Sequence, residues 1–135
     1  MYLGGTDDVL ALDASTGTLL WTYTNASAVL SSPAVANGVV YIEWESHMVR
    51  ALKARTGARL WSYATGSQVE SSPAVANGLV YIGSDDNRVC ALDGRTGAKL
   101  WVYITGNSVF SSPAVANGMV YVGSRDGYVY AFGLK

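Results

Sequence analysis

The chain has 135 residues, of which 50% are hydrophobic and 14% are charged, and its formal net charge is −1. The charged fraction is far below that of an average soluble domain, so an unusually large share of the surface must be buried. Lys and Arg are dispersed, which excludes the basic patch of a nucleic-acid-binding protein. Gly, Asn, Ser and Thr interrupt the apolar residues before they reach the ~18 that a membrane helix needs, so no membrane insertion is expected.

The N-terminus and the single cysteine add two expectations. Residues 1–5 have neither the basic nor the apolar region of a signal peptide, so any export signal has been removed or the chain is an excised piece. Cys90 cannot form an intrachain disulfide, and its position within an apolar strand pattern favours a buried structural thiol.

The first unit of the chain contains three predicted strands, at residues 2–5, 9–12 and 19–24. Next comes the octapeptide Ser-Ser-Pro-Ala-Val-Ala-Asn-Gly, which starts at Ser31, Ser71 and Ser111, an interval of 40 residues both times. One complete unit contains four predicted strands, named A to D, at residues 71–76, 79–83, 88–92 and 99–105. Asn77-Gly78, between A and B, is a strong hairpin signal because both residues tolerate positive φ.

Four short strands that recur every ~40 residues predict the blades of an all-β propeller, each blade a four-stranded antiparallel meander. The chain is one propeller segment, residues 1–135, with strands B–D of blade 1 at 1–25, complete blades at 31–66 and 71–106, and strands A–C of blade 4 at 111–135. An open segment exposes an apolar blade face at each end. We therefore expect self-association into a homodimer or higher closed ring; excision from a longer propeller is a compatible alternative.

A second repeated motif follows each C strand: Ala11-Leu12-Asp13-Ala14-Ser15-Thr16-Gly17, ending at Trp21, with copies that end at Trp61 and Trp101. It resembles the tryptophan-docking motif of the pyrroloquinoline quinone (PQQ)-like β-propeller repeats over essentially the whole chain. The resemblance implies that the three tryptophans dock between neighbouring blades. It also implies that the C-to-D corner is held by Thr16, Thr56, Thr96, Gly17, Gly57, Gly97, Asp13 and Asp93. Lys53 replaces the aspartate of the second copy, so that corner should be bonded differently.

Some members of this superfamily are dehydrogenases that hold PQQ and calcium over the axis of an eight-bladed ring. No residue here maps onto that site, so no cofactor and no enzymatic activity are expected; PQQ and calcium enter only if the chain is part of a larger quinoprotein. The repeat is shared with outer-membrane assembly lipoproteins and sensor ectodomains, which implies a periplasmic or extracellular location.

The differences between copies concentrate in the D-to-A and B-to-C connections, which emerge on one face of a propeller. Copy-specific residues on a shared face are where a binding site is built. The candidate binding face consists of Leu30, Glu43, Trp44, Glu45, His47, Glu70, Asp85, Asp86, Arg88, Phe110, Arg125 and Asp126. Trp44 is predicted to be an exposed anchor of the interface-hot-spot kind, whose removal leaves stability unchanged, and His47 a pH-sensitive rim group.

Other chemistry is weakly supported by the sequence. His47 with Glu43 and Glu45 makes a poor metal site, and Asp85-Asp86-Asn87 favours an Asx turn over calcium binding. No Ser/His/Asp triad can be proposed, because His47 is the single histidine. The chain is therefore predicted to be a non-enzymatic scaffold or protein-binding module. The alternatives are a fragment of a PQQ-dependent oxidoreductase and a designed or recently amplified repeat without an evolved ligand.

Overall fold

The computed structural model describes residues 1–134, in which every regular element is a β-strand. The strands form four antiparallel sheets, each paired in chain order. Blade 1 contains β1 (Tyr2–Gly4), β2 (Asp8–Leu12) and β3 (Leu19–Thr24). Blade 2 contains β4 (Ala34–Ala36), β5 (Val39–Trp44), β6 (Met48–Lys53) and β7 (Arg59–Ala64). Blade 3 contains β8 (Ala74–Ala76), β9 (Leu79–Ser84), β10 (Arg88–Asp93) and β11 (Lys99–Ile104), and blade 4 contains β12 (Ala114–Ala116), β13 (Met119–Gly123) and β14 (Val129–Gly133).

The all-β propeller fold predicted from the repeat is confirmed by these sheets. Within residues 1–134 there is no helix of the length and apolarity that crossing a bilayer requires. The predicted A-to-B hairpin is also confirmed, since Asn77 and Gly78 have φ values of 50° and 76°. The A strands are shorter than predicted and begin at the alanine after the proline, because proline has no N–H to donate to a ladder.

The core consists of three clusters, and each lies between two consecutive blades. Tyr41, Val49 and Trp61 of blade 2 pack against Ile82 and Leu92 of blade 3. Equivalent clusters lie between blades 1 and 2 and between blades 3 and 4. Each inner blade is therefore covered on both faces, as expected from consecutive apolar residues in its strands.

The two repeated serines hold the A strands in place. The Ser71 hydroxyl accepts a hydrogen bond from the Gly83 N–H (3.2 Å) and donates one to the Gly83 carbonyl (3.0 Å), within one blade. The second serine joins the blades, because the Ser32 N–H donates to Ser72 Oγ (2.8 Å) and the Ser72 N–H to Ser112 Oγ (2.8 Å). These bonds explain why both serines appear in every copy of the octapeptide.

Candidate functional site

The B-to-C turns and the D-to-A connections meet at one edge of the blades, which we call the upper face. The Thr65 N–H donates to the His47 carbonyl (2.9 Å), and the Asp85 N–H donates to the Gln68 carbonyl (3.0 Å). The Arg125 N–H donates to the Ser108 carbonyl in the same way (3.0 Å). The predicted variable segments therefore lie together, held by backbone hydrogen bonds that join each D-to-A connection to the B-to-C turns of the blades on either side of it.

Two carboxylates of the upper face take part in these connections. Asp86 Oδ2 accepts hydrogen bonds from the Gly66 N–H (2.9 Å) and from Arg88 Nη1 (3.1 Å). Asp126 Oδ2 accepts from the Gly106 N–H and the Tyr130 hydroxyl, both at 2.7 Å. The bond to Asp126 raises the pKa of Tyr130 to about 12. Both aspartates thus join the B-to-C turn to the D-to-A connection. The Asp86 bonds described here are not the local Asx turn that the sequence favours, whereas Asp126 Oδ1 does accept a local bond from the Tyr128 N–H (3.0 Å).

Six predicted members of the binding face have exposed side chains: Leu30, Glu45, His47, Glu70, Arg88 and Arg125. Phe110 is half-buried beneath Arg125, whose guanidinium carbon lies 4.0 Å from the ring centroid. Asp85 is also half-buried, and burial followed by the nearby Glu70 charge raises the pKa of its carboxyl group.

Trp44 and Glu43 do not lie on the surface, so the prediction that Trp44 is an exposed anchor is wrong. Both side chains are 0% exposed. The reason is that β5 continues through Trp44, which places Val40, Ile42 and Trp44 on the same side of the sheet. That side packs against blade 1. Trp44 is therefore a core residue, and Glu43, Glu45 and His47 do not converge on a common point.

Glu43 is a buried carboxyl group with few hydrogen-bond partners. Its Oε2 lies 3.3 Å from the Ser71 hydroxyl of blade 3, whose single proton it shares with the Gly83 carbonyl, and its Oε1 has no partner among the described residues. Burial raises the pKa of Glu43 well above its usual value, and the Ser71 bond offsets only part of this effect. Glycine occupies the equivalent position in the other blades, as Gly4, Gly83 and Gly123.

We expect Glu43 to make stability fall as pH rises. The pKa is higher in the folded than in the unfolded chain, so the stabilisation is complete below about 4.5, the ordinary value, and is lost as pH rises through the folded pKa. The loss amounts to at most ~1.4 kcal/mol per pH unit within that window. Denaturant unfolding at several pH values should show this decline in the wild type and a flatter curve in Glu43→Gln. The exposed Glu45→Gln variant serves as the control, and equal slopes in all three proteins would contradict the prediction.

A pocket of about 320 Å³ opens on the upper face of blade 4, lined by Phe110, Ser111, Gly123, Ser124 and Arg125. In blade 1 the side chain of Val29 packs directly on Gly4, and in blade 3 the side chain of Val109 packs directly on Gly83. A Cβ added to either glycine would collide with the valine Cγ1. At Gly123 the atom nearest to such a Cβ is Ser111 Oγ, at 3.3 Å. The pocket on blade 4 therefore lies where Val29 packs in blade 1 and Val109 packs in blade 3.

The repeated tryptophans lie near the opposite edge of the blades, the lower face. Trp21 Nε1 donates to the Ala54 carbonyl and Trp61 Nε1 to the Gly94 carbonyl, both at 2.9 Å. A Cβ on Gly97 would stand 2.7 Å from the Trp61 ring, so only glycine fits there. Trp101 is half-buried and packs on Phe132, with 5.1 Å between ring centroids.

The C-to-D corners differ as the sequence predicts. Asp13 Oδ1 accepts hydrogen bonds from the N–H groups of Ser15 (2.8 Å) and Thr16 (3.0 Å), and the Ser15 hydroxyl also donates to it (2.6 Å). These bonds, the Ser15 hydroxyl first, lower the pKa of Asp13 to about 2. At Lys53 the backbone carbonyl takes over, accepting from the Thr56 N–H at 3.2 Å.

Replacing Lys53 by Asp should stabilise this corner. The new carboxylate is expected to accept the N–H groups of Arg55 and Thr56, as Asp93 accepts those of Arg95 and Thr96 (both 2.9 Å). A gain of about 0.5–1.5 kcal/mol in the free energy of unfolding follows from hydrogen bonds of this kind. Thermal and urea unfolding measure it, with Lys53→Ala as the control. If Lys53→Asp were no more stable than Lys53→Ala, the side-chain bonds would be unimportant.

A PQQ and calcium site is the cofactor centre that a similarity to quinoprotein dehydrogenases would imply. Calcium takes six to eight oxygen ligands, typically with several carboxylates. Within residues 1–134 no three His, Cys, Asp or Glu side chains converge. Asp13, Asp86, Asp93 and Asp126 bond to backbone N–H groups instead. The described residues do not fit such a centre. Cys90 is buried, and burial raises the pKa of its thiol to about 11.

Four meanders stacked face to face, with indoles bonded to the next blade's corner, define a segment of a β-propeller built from PQQ-like repeats. The family model of the outer membrane protein assembly factor BamB matches residues 1–68 and 45–135, so the chain belongs to this family. Comparison with curated proteins gave no match.

Three solved structures illustrate the similarity. BamB from Moraxella catarrhalis is 30% identical with a TM-score of 0.88, and the match covers 98% of this chain and 42% of that one. The computationally designed Ika4 protein is 21% identical with a TM-score of 0.88, covering 99% of this chain and 84% of Ika4. Quinohemoprotein alcohol dehydrogenase ADHIIG from Pseudomonas putida HK5 is 26% identical with a TM-score of 0.82, covering 92% and 26% of the two chains. This chain thus spans less than half the length of that BamB.

Proposed function

We propose that this chain is a non-enzymatic β-propeller scaffold that binds protein and closes its ring with further copies of itself. The supporting observation is the uncovered apolar face at each end. Val129 of blade 4 is 74% exposed, whereas Val49 and Val89, at the equivalent positions of blades 2 and 3, are 0% exposed. Tyr121 is 37% exposed, against 4% for Tyr41.

Blade 1, at the opposite end of the segment, also has an uncovered apolar face. Leu3 of blade 1 is 43% exposed, whereas its counterparts Ile42 and Ile82 are completely buried against the preceding blade. The open face of blade 4 therefore carries the residues that pack forward in every internal interface, and that of blade 1 carries those that pack backward. A head-to-tail contact between two copies would bury much of both faces, although blade 4 has no D strand and blade 1 no A strand among the described residues. Such heterologous contacts form a ring when their rotation closes.

Light scattering at several protein concentrations tests this proposal. The wild type should have the mass of a dimer or larger closed assembly, and Val129→Glu should shift it to the monomer. Leu100→Glu is the matched control, since Leu100 is an exposed aliphatic residue outside the end faces, on β11. A monomeric mass for the wild type at every concentration would refute self-association.

Binding of another protein is assigned to the upper face. The upper face carries exposed copy-specific residues of both charges, such as Glu45, Glu70 and Arg125, and a pocket lined in part by Phe110 and Arg125, and an interface combines such polar and apolar groups. The family's role in outer membrane assembly supports a periplasmic location. We also propose that the tryptophans fix the spacing of the blades, since Trp21 and Trp61 bond to the next blade's corner.

The absence of catalysis is part of the proposal and needs its own test. The similarity to a quinohemoprotein alcohol dehydrogenase motivates it. Adding PQQ and calcium should produce neither a bound-quinone absorbance nor dye-linked alcohol oxidation. Either signal would favour the oxidoreductase alternative and leave the light-scattering result unaffected.

A further inference from the structure

Arg50 lies in the otherwise apolar interface between blades 1 and 2. It is half-buried on β6, on the side of blade 2 that packs against blade 1. Its guanidinium carbon lies 4.9 Å from the centroid of the Trp44 ring and 5.9 Å from that of Tyr23. The two aromatic rings hold the guanidinium by cation–π contacts, which fixes its position between the blades.

Three N–H donors at this position have no acceptor. Nε and Nη1 of Arg50 and Nε1 of Trp44 are buried and without a hydrogen-bond partner among residues 1–134. Within residues 1–134 the single ion pair joins Arg88 to Asp86. No carboxylate among these residues therefore forms an ion pair with Arg50. Unpaired buried donors are unfavourable, and two of these three belong to a cationic side chain, so the arrangement indicates a missing anionic partner.

The other blades show that this arrangement is specific to blade 2. Arg50 is replaced by Leu10, Cys90 and Tyr130 in the other copies, and the position of Trp44 is occupied by Gly5, Ser84 and Ser124. The Cys90 side chain lines a groove of about 300 Å³ in which Asp86 offsets Arg88. Tyr130 donates its hydroxyl proton to Asp126. Among the four blades, only blade 2 has a cationic residue at this position, and no carboxylate pairs with it.

The outer edge of blade 2 beside Arg50 carries small side chains. Ser62 on β7 is the cross-strand partner of Arg50, and Ala64 is the partner of Met48 beside it. Both are small and exposed, whereas Val102 and Ile104 occupy the equivalent positions of blade 3. A small ligand group that approaches from this edge therefore meets no bulky side chain on β7, and a shift of the neighbouring side chains would bring it against the buried Nε and Nη1.

We propose that Arg50, Trp44 and Tyr23 form a binding site for one carboxylate group. The guanidinium N–H groups are its donors, and the aromatic rings hold the cation in place. A carboxylate carries one negative charge and so matches a single guanidinium. A phosphate dianion would leave a charge buried among apolar neighbours such as Val9 and Ile42. The carboxylate belongs either to a small free acid or to an acidic side chain of a partner polypeptide.

The indole N–H resonance of Trp44, assigned with Trp44→Phe, reports on the site in ¹H–¹⁵N spectra. The full chain is titrated at pH 7 and constant ionic strength with sodium acetate, with N-acetylglutamate amide and with inorganic phosphate. We expect a saturable shift with both carboxylates in the wild type and in Arg55→Met, which removes an exposed arginine outside the site. Arg50→Met should abolish the shift, and Arg50→Lys, which keeps the charge but loses the planar donor group, should weaken binding about tenfold.

The titrations also separate the two sources of the carboxylate. Binding of the blocked glutamate at least tenfold tighter than acetate indicates a partner's side chain, and equal binding indicates a free acid. The proposal is overturned if no carboxylate produces a saturable shift, or if Arg50→Met and the wild type respond alike. Tighter binding of phosphate than of acetate would refute the choice of ligand class. If Arg50→Met does not fold, comparison of Arg50→Lys with Arg55→Met decides.

Discussion

Trp61→Ala is expected to lower the free energy of unfolding by about 3–5 kcal/mol, the usual loss for a deleted core aromatic side chain. Trp61 packs in the cluster between blades 2 and 3, with its ring centroid 5.9 Å from that of Tyr41, and bonds to the Gly94 carbonyl at 2.9 Å. Its loss removes packing from both blades and leaves that carbonyl without the indole donor. Assembly should weaken together with stability, because both depend on the blade interfaces.

Urea unfolding followed by circular dichroism measures this change. Leu60→Ala is the control, since Leu60 precedes Trp61 on β7 and is exposed. It should cost less than about 1 kcal/mol, as surface substitutions usually do. If Trp61→Ala cost no more than Leu60→Ala, the indole would not support the interface.

Trp44→Ala is the second large effect, again about 3–5 kcal/mol, because the side chain is 0% exposed. It contacts the cluster between blades 1 and 2, and its ring meets Tyr23 edge-on with 5.9 Å between centroids. Deletion also removes the ring on which the Arg50 guanidinium lies. Thermal unfolding should therefore shift markedly, although the sequence alone predicts no change.

The phenylalanine variants separate packing from hydrogen bonding. Trp61→Phe loses the bond to Gly94 and should cost about 1 kcal/mol more than packing alone explains. Trp44→Phe removes an N–H that has no partner in the chain, so its hydrogen-bond contribution should be neutral or stabilising. If the hydrogen-bond contribution to the free energy of unfolding fell more in Trp44→Phe than in Trp61→Phe, the Trp44 indole would be hydrogen-bonded in solution.

The repeat predicts the fold well because turn chemistry is local. Positive φ at Asn77 and Gly78 and the side-chain bonds of Asp93 follow from the residues themselves. Comparison of copies also located the different corner at Lys53. The short A strands, such as β8, depart from the prediction at Pro73, where the missing N–H already marks the boundary.

The site was harder to predict, because a difference between copies does not say on which side of a blade a residue lies. Glu43 and Trp44 replace a Gly-Ser pair, and this difference between copies predicts loop residues. The alternation of Val40, Ile42 and Trp44 was the available indication that β5 continues. Arg50 interrupts an apolar strand at one position, and a single interruption does not predict a site. Its orphaned donors emerge only when blades 1 and 2 are packed together.

The serine ladder along the A strands has a polarity. Each link runs from an N–H of one blade to a hydroxyl of the next, from Ser32 to Ser72 and from Ser72 to Ser112. An additional blade placed in the same sense would offer its own hydroxyl to the Ser112 amide, whereas an inverted one would face donor with donor. The serine ladder therefore favours addition of a blade that has an A strand and the same sense, whereas blade 1 of a second copy, which has no A strand among the described residues, cannot continue it.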